Sequence, residues 1–172
     1  MLRSAQLSAC GHYRYALERR LDEPGETLCW LMLNPSTADG ASDDPTIRKV
    51  IGFTRRAGYG AAIVVNLFAW RATKPRELRA ELVKARARVE GRRNRAAIVA
   101  ATSRSSAVVC AWGAQPWARE QAARVLSWLD AELPLLCLGR TQDGSPRHPL
   151  MLAYASHPLQ SWRRLGVRAP VW

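Results

Sequence analysis

Four short apolar runs constrain this chain more than any other feature: LCWLML at 28–33, AAIVVNLF at 61–68, AVVCAW at 107–112 and LPLLCLG at 133–139. They are nearly continuous and rich in β-forming residues, as strands buried on both faces are. Helical patterns separate them. Asp44-Pro45 reads as an N-cap followed by proline at the first helical position, with Ile47, Val50, Ile51 and Thr54 on one face and Gly58 and Gly60 as the stop. A second helical region covers 76–102. PWAREQAARVLSWLDAEL supplies a third, with Ala118, Ala122, Val125, Leu126 and Leu129 inward. Such alternation predicts an α/β fold: one domain over 1–172, built on a mainly parallel four-stranded sheet with helices on both faces. HYRYALERRL near the start alternates well enough to add an N-terminal edge strand.

Charge narrows the partners. The chain carries 26 Lys and Arg against 14 Asp and Glu, a formal +12. That excess suits a polyanion, most simply DNA, although an arginine-rich solvated surface gives the same count. From Arg71 to Arg95 there are ten Lys and Arg and three Glu, either a phosphate track or a solvated face. No run of 18 apolar residues predicts a membrane span, and MLRSAQLSACGHYRY lacks the apolar centre of a signal peptide. Of the four cysteines, three lie in the apolar runs and none forms a C-x-x-C pair. The expectation is a cytoplasmic protein with reduced, buried thiols and no metal or cofactor.

In an open parallel sheet, ligands bind beyond the carboxyl ends of the strands. The first run ends in Asn34-Pro35-Ser36, and the second carries Asn66 before Leu67-Phe68. The third ends in Trp112-Gly113-Ala114-Gln115, and the fourth leads through RTQDGSPRHPL to Arg147-His148-Pro149. Each has an ordinary reading as well. Asn34 can cap a turn, Trp112 can be core, and His148 can be a surface histidine. Asn66 is harder to dismiss, because a buried amide must find partners. Two asparagines, a glutamine and a histidine on one rim predict a site.

LMLNPSTADGASDDPTIRKVIGFTRRAGYGAAIVVNLFAWRAT together with GRTQDGSPRHPL resembles the DUF1643 family, over nearly the whole chain. The order of the rim motifs is more distantly similar to the uracil-DNA glycosylase superfamily. In that superfamily one strand ends in a G-x-N-P or G-Q-D-P motif that positions the hydrolytic water, and a second ends in an Asn that reads the pyrimidine edge. A W-G-A segment follows, and a late His-Pro-Ser loop supplies a catalytic histidine. Asn34-Pro35, Asn66, Trp112-Gly113-Ala114 and His148-Pro149 match these in turn, with His157-Pro158 a competitor for the last. No glycine opens the first motif here, and Ser36 stands where many members have Gly or Tyr.

The resemblance implies a protein that hydrolyses the N-glycosidic bond of a deaminated or modified pyrimidine in DNA. Asn34 would align the water, His148 would donate to the developing oxyanion, and Asn66 would read the base edge. Pro35, Ser36, Gly113 and Arg147 would help to bind, and Phe53 or Phe68 would stack on the base or simply pack in the core. Asp44 reads as the helix cap. Asp43 is a candidate general base or metal ligand, or a solvated loop acid. Three carboxylates at 39, 43 and 44 would repel phosphates unless paired, with Arg48 and Arg147 as candidate partners. Two alternatives stay open: a non-catalytic module binding nucleic acid or a modified base, and an enzyme acting on a free nucleoside or nucleotide.

Overall fold

The structure, a computed structural model, describes residues 1–162. In chain order the elements are β1 (Leu2–Leu7), β2 (Arg14–Arg20), β3 (Thr27–Met32), α1 (Pro45–Arg56), β4 (Ala61–Asn66) and α2 (Pro75–Lys84). There follow α3 (Arg86–Glu90), α4 (Asn94–Thr102), β5 (Ala107–Cys110), α5 (Arg119–Leu126), β6 (Leu135–Cys137) and β7 (Gln160–Ser161). The sheet order is β1-β2-β4-β3-β5-β6-β7.

The four apolar runs form β3 to β6, and these four are mutually parallel. Among the described residues, however, the sheet as a whole is seven-stranded and mixed, not four-stranded. β2 pairs antiparallel with β4, β1 with β2, and β7 with β6. The HYRYALERRL segment therefore lies inside the sheet, and the true edge is β1. Its residues LRSAQL are almost all exposed, so no apolar alternation marks them in advance. The expected helix over 76–102 is three helices, broken at Ala85 and at Gly91, whose φ of 80° is left-handed. The third helix is shorter than expected, a 3₁₀ turn over Pro116–Ala118 leading into α5. No helix among the described residues is long and apolar enough to cross a membrane.

Strand alternation sorts the core into two layers. Leu28, Trp30, Met32, Val64 and Val109 face α1, which buries Ile47, Val50 and Phe53 against them. Cys29, Leu31, Ile63, Val65 and Val108 face the other way, against Leu78, Ile98 and Val125 from α2, α4 and α5. Many α1 positions are β-branched and poor for a helix by up to about 0.7 kcal/mol each. Burying one large apolar side chain contributes about 1.5–3 kcal/mol, so packing decides its conformation.

This arrangement fixes where a crevice can form. The chain leaves β3 for β4 through α1 on one face, then returns to β5 through α2, α3 and α4 on the other. The loops after β3 and β5, neighbours in the sheet, thus diverge to opposite faces. Such a switch point opens a crevice at the carboxyl ends of the strands.

Candidate functional site

A cavity of about 440 Å³ occupies that switch point. Asn34 and Ser36 come to it from the loop after β3, Asn66 from the end of β4, and Gly113 and Gln115 from the loop after β5. Asp44 and Thr46 bring the start of α1, and His148 closes the side near β6. Met32, Ile47, Trp112 and Leu150 give it apolar walls.

Asn66 is the unusual member. It is only 1% exposed, and neither Nδ2 nor Oδ1 of its amide has a hydrogen-bond partner among the described residues. A buried amide left unpaired costs about 1–3 kcal/mol, so its retention in a cavity wall points to an occupant that completes it. Its backbone is held hard. Asn94 Nδ2 donates to Asn66 O at 3.0 Å and to Leu67 O at 3.3 Å, and Gln121 Nε2 donates to Leu67 O at 3.1 Å. Two buried amides on α4 and α5 thus lock the strand end from the opposite layer. Neither was expected, because each looks like an ordinary polar helix residue in the sequence.

Asn34 is arranged differently. Its Nδ2 donates to Pro35 O at 3.0 Å and Ala72 O at 2.7 Å. Both amide hydrogens are taken, leaving Oδ1 as the group it can offer. Pro35 itself is buried and anchors the loop, its carbonyl also accepting from Ala72 N at 3.0 Å.

His148 begins the 3₁₀ turn Pro149–Met151. Its Nδ1 accepts from the Leu150 N–H at 3.3 Å, which puts the ring proton on Nε2. Burial lowers its pKa from the usual 6.5, and the Asp44 carboxylate only partly opposes this. The ring is therefore a neutral N–H donor at pH 7. The loop before it is organised by Asp143, whose carboxylate accepts from the Thr141 and Ser145 hydroxyls, Ser145 N and Arg119. Those donors, the Thr141 hydroxyl first, hold Asp143 far below the usual carboxylate range. Gly113 N donates to Pro146 O at 3.0 Å and ties this loop to the end of β5. At φ +77° a Cβ on Gly113 would meet His148 Cβ at 3.4 Å. Glycine there suits both the left-handed backbone and the close approach of the histidine.

The aspartates divide by partner. Asp44 caps α1, accepting from Ile47 N at 2.8 Å, and also faces the cavity. Asp43 does not line it. Its carboxylate pairs with Arg19 Nε at 2.7 Å and with Arg3 at 3.1 Å, and Arg19 is 0% exposed. Asp39 accepts from Ala41 N and Ser42 N, an Asx turn, and these amides lower its pKa. The expected partners were Arg48 and Arg147. Arg48 instead donates to the Asp43 carbonyl, and Arg147, outside the cavity, to Arg140 O.

Neither phenylalanine lines the cavity. Phe53 packs between Trp30 and Tyr154, at ring separations of 6.4 and 4.7 Å. Phe68 packs on Trp117 in the opposite layer, at 6.0 Å. His157, the competitor of His148, lies beside Tyr154 and Phe53, away from the rim.

Arg14 is the charged cavity residue that sequence reasoning missed. It is 2% exposed, and its Nη1 donates to Ala38 O at 2.7 Å. Burial lowers its guanidinium to about 10, with Asp44 pulling the other way, so it stays charged at neutral pH.

The family model described as "Protein of unknown function (DUF1643)" matches residues 14–150. No curated protein and no solved structure gives a match. The match runs from Arg14 to Leu150 and spans every residue that lines the cavity, so the chain belongs to the DUF1643 family.

Proposed function

We propose that this protein hydrolyses the N-glycosidic bond of a deaminated or modified pyrimidine in DNA, with the extruded nucleotide seated in the rim cavity. The observation that carries the reading is Asn66, a buried amide whose donor and acceptor, side by side, have no partner among the described residues. A pyrimidine edge offers the complementary pair. The order of rim motifs, similar to that of the uracil-DNA glycosylase superfamily, supports the same conclusion.

In this mechanism the C1′–N1 bond breaks and its electron pair goes to the departing base. The neutral His148 Nε2–H donates to the base carbonyl oxygen where negative charge collects. Asn34 Oδ1 accepts from a water and aims it at C1′ without needing to act as a strong base. The water oxygen bonds to the sugar, and one of its protons ends on the base, which leaves neutral. Met32, Ile47 and Leu150 take the role of base-contacting surface that the two phenylalanines, both in the core, do not fill.

A basic surface that includes Tyr13, Tyr15, Arg88, Arg92 and Arg93 suits a strand. Trp70 stacks on His12 at 5.1 Å, and the Arg88 guanidinium lies 4.6 Å over its ring. Arg76, Arg79, Arg92 and Arg93 form no ion pair among the described residues, whereas Lys84 and Arg86 are taken by Glu81, Glu90 and Glu120. Free arginines beside stacked aromatics are what a nucleic-acid backbone and its bases bind.

The test is incubation with end-labelled oligonucleotides holding uracil, hydroxymethyluracil or mismatched thymine, followed by alkali. Strand breaks at the altered base are expected. Binding without breaks on every substrate would replace this reading with a non-catalytic recognition module.

A further inference from the structure

The buried Arg14 guanidinium has no direct ion-pair partner among the described residues, although the Asp44 and Asp39 carboxylates attract it without pairing. It is nearly as buried as Arg19, and the two residues invite comparison. Arg19 pairs with Asp43 and also donates to the Glu18 carbonyl at 2.9 Å and the Asp39 carbonyl at 2.6 Å. Among the described residues the Arg14 guanidinium donates only to Ala38 O, its Nε has no partner, and it forms no ion pair. A guanidinium holds five N–H donors, and one this deeply buried is ordinarily matched by an anion. Asp44 lies in the same wall, but its carboxylate is committed to the N-terminus of α1 through Ile47 N.

The chain makes a local effort to put Arg14 there. Along β1, the adjacent residues Gln6 and Leu7 pair with Ala16 and Arg14, so Tyr15 is an extra residue in β2. Such a bulge reverses the alternation beyond it and re-aims a side chain. Without it, Arg14 would share the face of Ala16, which packs on the α4 and α5 layer. With it, Tyr15 turns to Ala69 and Ala97, and Arg14 enters the wall of the cavity.

We propose that Arg14 binds a phosphate oxygen of a nucleotide whose base reaches Asn66. The cavity then selects a nucleotide over the corresponding nucleoside or free base. The base half of this assignment rests on the function proposed above; the phosphate half rests on Arg14 alone. A volume of about 440 Å³ lies within the usual range for small-ligand sites. The phosphate can belong to a free nucleotide or to the strand that carries the extruded base.

Calorimetry on the wild-type protein separates these. Deoxyuridine 5′-monophosphate should bind at least tenfold tighter than deoxyuridine if a free nucleotide is taken. A uracil-containing pentanucleotide should bind at least tenfold tighter than its analogue with methylphosphonates flanking the uracil if the strand supplies the phosphate. An advantage in either pair supports the proposal; none in both, or no binding of any probe at millimolar concentration, overturns it. Arg14→Gln should erase the advantage and Arg14→Lys should keep part of it, with circular dichroism verifying that each variant folds. Phosphate preference without base excision leaves Arg14 standing and removes the glycosylase reading. Excision without phosphate preference does the reverse.

Discussion

Asn66→Leu should raise stability while destroying recognition. Asn66 is 1% exposed, and both polar atoms of its amide are unpaired among the described residues. Leucine removes both unpaired groups with a side chain of comparable size, and the adjoining cavity accommodates the difference in shape. Relief of an unsatisfied buried group is worth about 1–3 kcal/mol. A fraction of that goes to imperfect packing, so a net gain of about 1–2 kcal/mol is expected. For a chain of this length, each kcal/mol moves the midpoint by about 2–4 °C. Urea unfolding and calorimetry measure the gain, and nucleotide binding should weaken more than tenfold in the same variant. A loss of stability beyond about 1 kcal/mol would mean that the Asn66 amide is satisfied in the native protein, and the case for a missing ligand would fall. Such an exchange of stability for function is common where a site holds groups that only a ligand completes.

Asp43→Asn should act on the fold and not on the site: it leaves the buried Arg19 without its counter-ion, and breaking such a pair costs about 3–5 kcal/mol. Urea unfolding should show that loss, while turnover per folded molecule stays unchanged. Gly113→Ala, with φ +77° and His148 Cβ 3.4 Å away, should cost about 1–2 kcal/mol by calorimetry and shift His148 enough to slow turnover. Because burial puts the His148 pKa below its usual 6.5, the unfolded chain binds the extra proton first as pH falls. Its contribution is therefore present above pH 6.5 and lost on acidification, and protonation also strips Nδ1 from Leu150 N–H. Pre-steady-state rates should show an acid limb with a midpoint under 6.5, absent in His148→Gln.

The parts of this structure that were legible in the sequence are those governed by local pattern. Four apolar runs become four parallel strands, and Asp44-Pro45 starts α1 with the capping bond that those residue types favour. Asn34, Ser36, Asn66, Gly113 and His148 meet in one cavity because parallel strands align their carboxyl ends. What stayed hidden depends on residues distant along the chain or on one-residue irregularities. Nothing in HYRYALERRL marks Tyr15 as a bulge, so Arg14 could not be placed on the cavity side. The Arg19–Asp43 pair spans 24 residues, and only the tertiary fold shows that Asp43 answers a buried charge. Phe53 and Phe68 follow the core because each strand and helix face is decided by its neighbours across the sheet. β1 pairs at an exposed edge, where backbone hydrogen bonds form a strand without an apolar face.

Release of free base is the sharpest measure of what the rim cavity does. Mass spectrometry of the supernatant, after incubation with oligonucleotides carrying altered pyrimidines, counts bases set free against abasic sites left behind. The two should appear in equal amounts for the cognate base, with both falling at least a hundredfold in Asn34→Ala and in His148→Ala. No free base from any substrate, or release untouched by either substitution, would show that the cavity does not hydrolyse the glycosidic bond.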